Sequence, residues 1–290
     1  MQETTEISAL LHLIDDPDNE VFVTVSEKIV SLGKAIIPNL ETLWENTLDE
    51  EVQERIELLI HRLHFQELQS EFTEWCKQDD PDLFHGALLV SKYQYPDLNI
   101  TSVYQDFEKI RRNIWLELNN YLTPLEQVTI INNILYNYYK HKGSEISYSH
   151  ADDFLIHKAI ECKKGNSLAN GILYLSLCEI LDVPVKIINI PRQFILAYFD
   201  GNTFFEDLPA NTAEKILFYL DPLNGQVYTQ ADVETYFKKI SLPPSSSYFK
   251  PMNTKHVIQF LLKEFSRCFD DAKNQYKKNE LLLLADMIEV

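Results

Sequence analysis

Glycine is scarce in this chain. Only seven occur in 290 residues, and four of them, Gly165, Gly171, Gly201 and Gly225, fall between positions 165 and 225. Neither GxGxxG nor GxxxxGK[ST] appears, so nucleotide binding on a glycine-rich phosphate loop is not expected. Positive charge is also short, with 26 basic against 44 acidic residues and a net charge of −18. Such a field repels a polyanion, so no nucleic-acid partner is expected. The basic clusters KIRR (109–112) and YKKNE (276–280) sit among acids and read as solvated helix faces. Cys76, Cys162, Cys178 and Cys268 form no CxxC pair, which gives neither a zinc site nor a disulfide framework. The longest aliphatic run, Leu281 to Ala285, is far too short to span a bilayer. The acidic start MQETTEISALLHLIDD does not read as a signal peptide. A cytoplasmic, reduced protein with no membrane partner and no cofactor is therefore expected. Histidine is absent between 158 and 255.

What is present is mostly helical pattern. Val21, Val25 and Ile29 repeat at spacing four, and Val52, Ile56 and Ile60 repeat the pattern 31 residues later. Between them lies SLGKAIIPNLETLW (31–44), a glycine- and proline-punctuated joint. Paired helices of this kind resemble HEAT repeats, each pair covering its neighbour's apolar face. Segments 72–78, 83–93, 103–122 and 125–140 carry apolar residues three and four apart. Asp82, Thr101 or Ser102, and Thr123 before Pro124 are the expected helix starts. Another helix is expected over 152–164. Strands are expected at VKIINI (185–190), QFILAYF (193–199) and TFFEDL (203–208), with a hairpin turn at the DGN of 200–202. LFYLDPLNGQVY (217–228) reads as a further strand or strand pair. SLPPSSSYFKP (241–251) reads as a linker before two closing helices. The fold class is α+β, predominantly helical. Its segments are expected at 1–70 (HEAT-like), 71–142 (helical), 143–240 (a helix on a small antiparallel sheet) and 241–290 (helical).

Four short motifs carry a resemblance. Lys164-Gly165-Asn166-Ser167 opens a helix, Leu181-Asp182-Val183-Pro184 breaks it into a strand, and Pro191-Arg192-Gln193-Phe194 opens the next strand. Leu220-Asp221-Pro222-Leu223-Asn224-Gly225 ends a third. This series resembles the SirB-type transglutaminase-like proteins, within the wider transglutaminase/papain-like superfamily. GALLVSKYQYPDLN (86–99) is similar to the helical N-terminal half of that branch, and the helices after 251 to its tetratricopeptide-like tail. The resemblance implies a transglutaminase-like core flanked by helical repeat-like segments. It also implies that Ser167, Gln193 and Asp221 stand where the superfamily places its catalytic cysteine, histidine and aspartate.

Chemistry argues against turnover at such a set. A thiol at a helix N-terminus is readily ionised, whereas a serine hydroxyl needs a general base as it attacks. Gln193 is a neutral carboxamide and cannot serve. His150 and His157 are the nearest imidazoles in sequence. Cys162 and Cys178 lie in helical segments, Cys178 about 16 Å beyond Ser167 at the helical rise. Asn166 or Ser167 could equally cap the helix, Gln193 could donate to Asp221, and Asp221 before Pro222 could be a turn former. The pair His61 and His64 with Glu67 forms no recognised metal motif. Two functions are therefore weighed. The first is a non-catalytic module binding a protein or peptide, with a groove between helix 167–181 and the sheet as the place for it. The second is a serine-dependent amidase, peptidase or acyltransferase using Ser167 with a histidine from outside the motif.

Overall fold

The computed structural model describes all residues except 1–6, 8, 17, 202, 204, 206–211 and 290. Most of the strand expected at 203–208, and one residue of the DGN turn, lie outside the described residues. The chain divides into two compact units, Met1–Glu74 and Trp75–Val290.

In the first unit, α1 (Asn19–Ser31) begins behind Asp18, whose carboxylate accepts the Glu20 N–H. It is followed by α2 (Ile37–Asn46), with a proline in its first turn, and by α3 (Glu50–Cys76), which ends at the start of the second unit. Val25 and Ile29 of α1, Leu40 of α2 and Ile56, Leu59 and Leu63 of α3 form one buried cluster. The four-residue spacing in the sequence is thus the apolar stripe of packed helices.

The second unit opens with α4 (Leu83–Gln94), capped by Asp82, which accepts the His85 N–H. Next, α5 (Ile100–Glu117) is capped by Asn99 rather than by Thr101 or Ser102. It stops at Glu117 and not at 122, because Leu118 turns extended with ψ of 139°. Thr123 and Glu126 form a reciprocal capping box for α6 (Pro124–Asn132). Its axis continues as a π-helix over Asn133–Tyr138. A three-residue strand β1 (Lys142–Ser144) pairs in parallel with β2 (Lys164–Asn166), and the short α7 (Ile156–Glu161) lies between them. The expected helix over 152–164 is therefore only partly helical.

Helix α8 (Ser167–Ile180) is buried over 11 of its 14 residues. A helix apolar on every side belongs in the middle of a fold, and each large side chain so buried contributes about 1.5–3 kcal/mol. It leads into an antiparallel sheet of order β3-β4-β5-β6: Val185–Ile190, Gln193–Phe199, Ile216–Leu220 and Val227–Tyr228. The hairpin turn is Pro191-Arg192, since Ile190 pairs with Gln193, and β4 pairs next with β5. Proline in second place with a left-handed third residue, Arg192 at φ 65°, is the pattern of a type II turn.

Side chains alternate across the sheet. Phe194 of β4 meets Gly171 of α8 on one face. Ala197 and Phe199 face the other way, into a cluster with Val233 and Phe237 of α9 (Gln230–Lys239) and with Phe249. The stretch read as a linker packs on this sheet: Phe249 is 4% exposed, Pro251 bridges Ile188, and Met252 N–H donates to Ile187 O at 2.8 Å. Two helices close the chain, α10 (Thr254–Ser266) and α11 (Gln275–Asp286), joined where the Gln259 amide donates to Ala285 O and Ile288 O. The architecture is predominantly helical α+β.

Candidate functional site

The start of α8 is fixed by Asn166. Its Oδ1 accepts the N–H groups of Leu168 at 3.0 Å and Ala169 at 2.9 Å, and the residue is wholly buried. Asn166, not Ser167, is the cap. Ser167 is half-buried, and its hydroxyl makes no hydrogen bond among the described residues. One turn on, Gly171 lies so close to Phe194 and Pro222 that an added Cβ would stand 2.8 Å from Phe194 Cε1 and 3.4 Å from Pro222 Cβ. At Gly171 α8 and the sheet are therefore in contact, whereas a cleft of about 750 Å³ borders the C-terminal half of α8 and β3, lined by Ser176, Cys178, Glu179 and Lys186 among others.

A smaller cleft of about 270 Å³ lies beside the β3–β4 hairpin, the loop after β5 and helix α9. Gln193 and Asp221 both line it, and Ser167 does not. Strand alternation explains the split: Phe194 points to α8, so its neighbour Gln193 points to the α9 side. The walls are apolar, from Ile190, Phe194, Ile195, Pro222, Val233 and Tyr236, and the polar edge is Gln193, Asp221, Tyr228 and Asp232. The Gln193 amide makes no hydrogen bond to Asp221.

Asp221 is held by its own turn. Its Oδ1 accepts the Leu223 N–H at 2.8 Å, and its carbonyl accepts the Gly225 N–H at 2.8 Å. Around that loop, the Tyr136 hydroxyl of the π-helix donates to Pro222 O at 3.1 Å and the Asn132 amide to Gly225 O at 2.7 Å. Gly143 N–H of β1 donates to Leu223 O at 3.0 Å. Gly225 sits at φ 74°, a conformation that glycine adopts without strain.

Burial raises the Tyr228 hydroxyl pKa first, and the charges of Asp221 and Asp232 raise it further. Asp232 is held below the usual carboxylate range by the Thr229 hydroxyl and backbone N–H, the reciprocal cap of α9. Tyr228, Asp232 and Tyr236 were not singled out from the sequence. The signal for Asp232 was present in Thr229-x-x-Asp232, the spacing of a capping box.

No histidine lines the cleft. His157 is 1% exposed, its ring edge-to-face with Tyr95 at 4.9 Å, beside a separate cleft at the 94–99 loop. Burial, then Lys158, pushes its pKa down to about 4. His150 is exposed, with Nδ1 3.1 Å from Ser149 Oγ. His141 is 5% exposed and pushed to about 4, by burial first and then by Lys163. Cys178 is fully buried, which drives its thiol pKa well up, whereas Cys162 is exposed just beyond α7. Among the described residues no three of His, Cys, Asp and Glu come together as a metal site, and no helix is long and apolar enough to cross a membrane.

A buried helix laid on an antiparallel sheet, with the second strand opening on Gln193 and the third ending on Asp-Pro, defines a class of α+β core. The profile described as "Transglutaminase-like superfamily" matches residues 101–263, more than half of the chain, and the protein belongs to that superfamily. It is similar to F-box only protein 21 of Mus musculus, 31% identical over 71 residues, and of Homo sapiens, 30% identical over 71 residues. Each of those matches covers 24% of this chain and only 11% of the relative. A third relative, UPF0162 protein BU173 of Buchnera aphidicola, is 20% identical over 201 residues, covering 69% of this chain and 70% of its own. No solved structure matches significantly.

Proposed function

We propose that this chain is a non-catalytic, SirB-type member of the superfamily that holds a segment of a partner protein or peptide in the cleft beside α9. Ser167, Gln193 and Asp221 take the places of the superfamily's cysteine, histidine and aspartate. One observation carries the reading: the cleft that contains Gln193 and Asp221 contains neither Ser167 nor any imidazole. A hydroxyl without a base in reach is a poor nucleophile near neutral pH. The exposure of His150 and the burial of His157 under Tyr95 support the same reading over a serine enzyme with a borrowed histidine. The helices before Cys76 are assigned as HEAT-like and α10–α11 as tetratricopeptide-like, surfaces of the kind that bind proteins. Four free thiols support a reducing, cytoplasmic setting, and the charge of −18 argues against a nucleic-acid partner.

The test is a panel of amide, ester and acyl-donor substrates run on the wild type and on Ser167→Ala. Equal, background-level rates are expected. Turnover that Ser167→Ala abolishes sinks the proposal.

A further inference from the structure

The cleft's chemistry narrows the occupant. It is smaller than the roughly 300–1,000 Å³ of small-molecule pockets, which suits one long side chain. Its charged lining groups are Asp221 and Asp232, and no lysine, arginine or histidine lines it. Arg192 lies in the adjoining turn, exposed and outside the lining.

Both carboxylates keep accepting capacity. Asp232 takes the Thr229 N–H and hydroxyl on the same oxygen, Oδ2, at 2.7 Å each, so Oδ1 has no partner among the described residues. Asp221 takes the Leu223 N–H on Oδ1, while an ionised carboxylate offers about four lone-pair sites. Asp221, Asp232 and Tyr228 all line the same small cleft. Tyr236 lines it too, and the Tyr236 hydroxyl donates to Pro191 O at 2.8 Å.

Aromatic faces beside two part-satisfied carboxylates suit a planar guanidinium. That group stacks on rings and presents five N–H donors in a fixed fork. A lysine ammonium is a compact, strongly hydrated point charge and gains less from the rings. Resting on the binding reading above, we propose that the cleft is an arginine side-chain pocket, occupied by an arginine of a peptide partner.

The test uses three capped pentapeptides, alanine except for a central arginine, lysine or citrulline, titrated into the full ¹⁵N-labelled chain and followed by amide shifts. Citrulline keeps the shape of arginine and removes its charge. The arginine peptide is expected to shift Gln193, Tyr228 and Asp232, with lysine several-fold weaker. Citrulline should be about tenfold weaker or more, the loss of a charge-assisted contact. Asp221→Asn and Asp232→Asn, each keeping its local acceptor, should weaken arginine binding about tenfold. Arg192→Gly removes a competing cation and should tighten it. Equal binding of all three peptides, shifts spread over the acidic surface outside the cleft, or no binding overturns the pocket. The two readings fail separately: arginine-selective binding with Ser167-dependent cleavage would retain the pocket and overturn the non-catalytic reading. Non-selective binding within the cleft would do the reverse.

Discussion

Gly143→Ala tests how the Asp221 loop is held. A Cβ at this position would stand 2.6 Å from the carbonyl oxygen of Leu223 and 2.8 Å from its carbonyl carbon. Those are backbone atoms, so no rotamer change relieves the collision, and β1 must move away from the loop. Moving it loses the Gly143 N–H bond to Leu223 O at 3.0 Å, a contribution of about 1 kcal/mol. Overpacking adds about 1–3 kcal/mol. The sum, about 2–4 kcal/mol, lowers Tm by roughly 5–15 °C at the sensitivity of a domain of this size. Calorimetry reads it directly. The control is Gly201→Ala, where an added Cβ meets nothing within 4 Å and a change within about 0.5 kcal/mol is expected. A Gly143→Ala protein that melts within 1 °C of wild type would refute the argument that backbone contact fixes this loop.

Three further outcomes follow from the same geometry. His141 and His157 are both held near 4, below the unfolded value of 6.5. Their contribution is complete above about pH 6.5 and is lost as pH falls towards 4, by about 2–3 kcal/mol each. Urea midpoints should therefore drop steeply from pH 7 to 4.5, less so in His157→Leu, and equal slopes would count against it. Asp182 and Arg192 sit in left-handed backbone at φ 55° and 65°, so Asp182→Gly and Arg192→Gly should each raise stability by about 0.5–1 kcal/mol. A loss in either variant contradicts the strain. Asn166→Ala should cost about 1–2 kcal/mol as a lost cap, whereas Ser167→Ala should stay within about 0.5 kcal/mol. Comparable losses from the two would remove the assignment of the cap to Asn166.

Much of the fold was legible in the sequence where periodicity is strong. The stripe through Val25, Ile29 and Ile56, the caps at Asp82 and Thr123, and strands 185–190 and 193–199 all carry local signals. The errors share a cause, which is that a tertiary partner decides them. The parallel pair β1–β2 is three residues long, KGS against KGN, with no apolar alternation to mark it. The turn at Pro191-Arg192 lacks the glycine that such a turn favours. The serine- and proline-rich 241–251 stretch looks like a linker until Phe249 is seen buried. At the site, motif spacing located Gln193 and Asp221 correctly at strand ends. Which face each side chain takes depends on the packing of Phe194 against Gly171, which no local pattern reveals.

The central claim is that Ser167 is chemically silent. Intact-mass measurement after prolonged incubation with a serine-directed fluorophosphonate tests it most directly. An unmodified chain is expected at every probe concentration. A single adduct that maps to Ser167 and disappears in Ser167→Ala would contradict it.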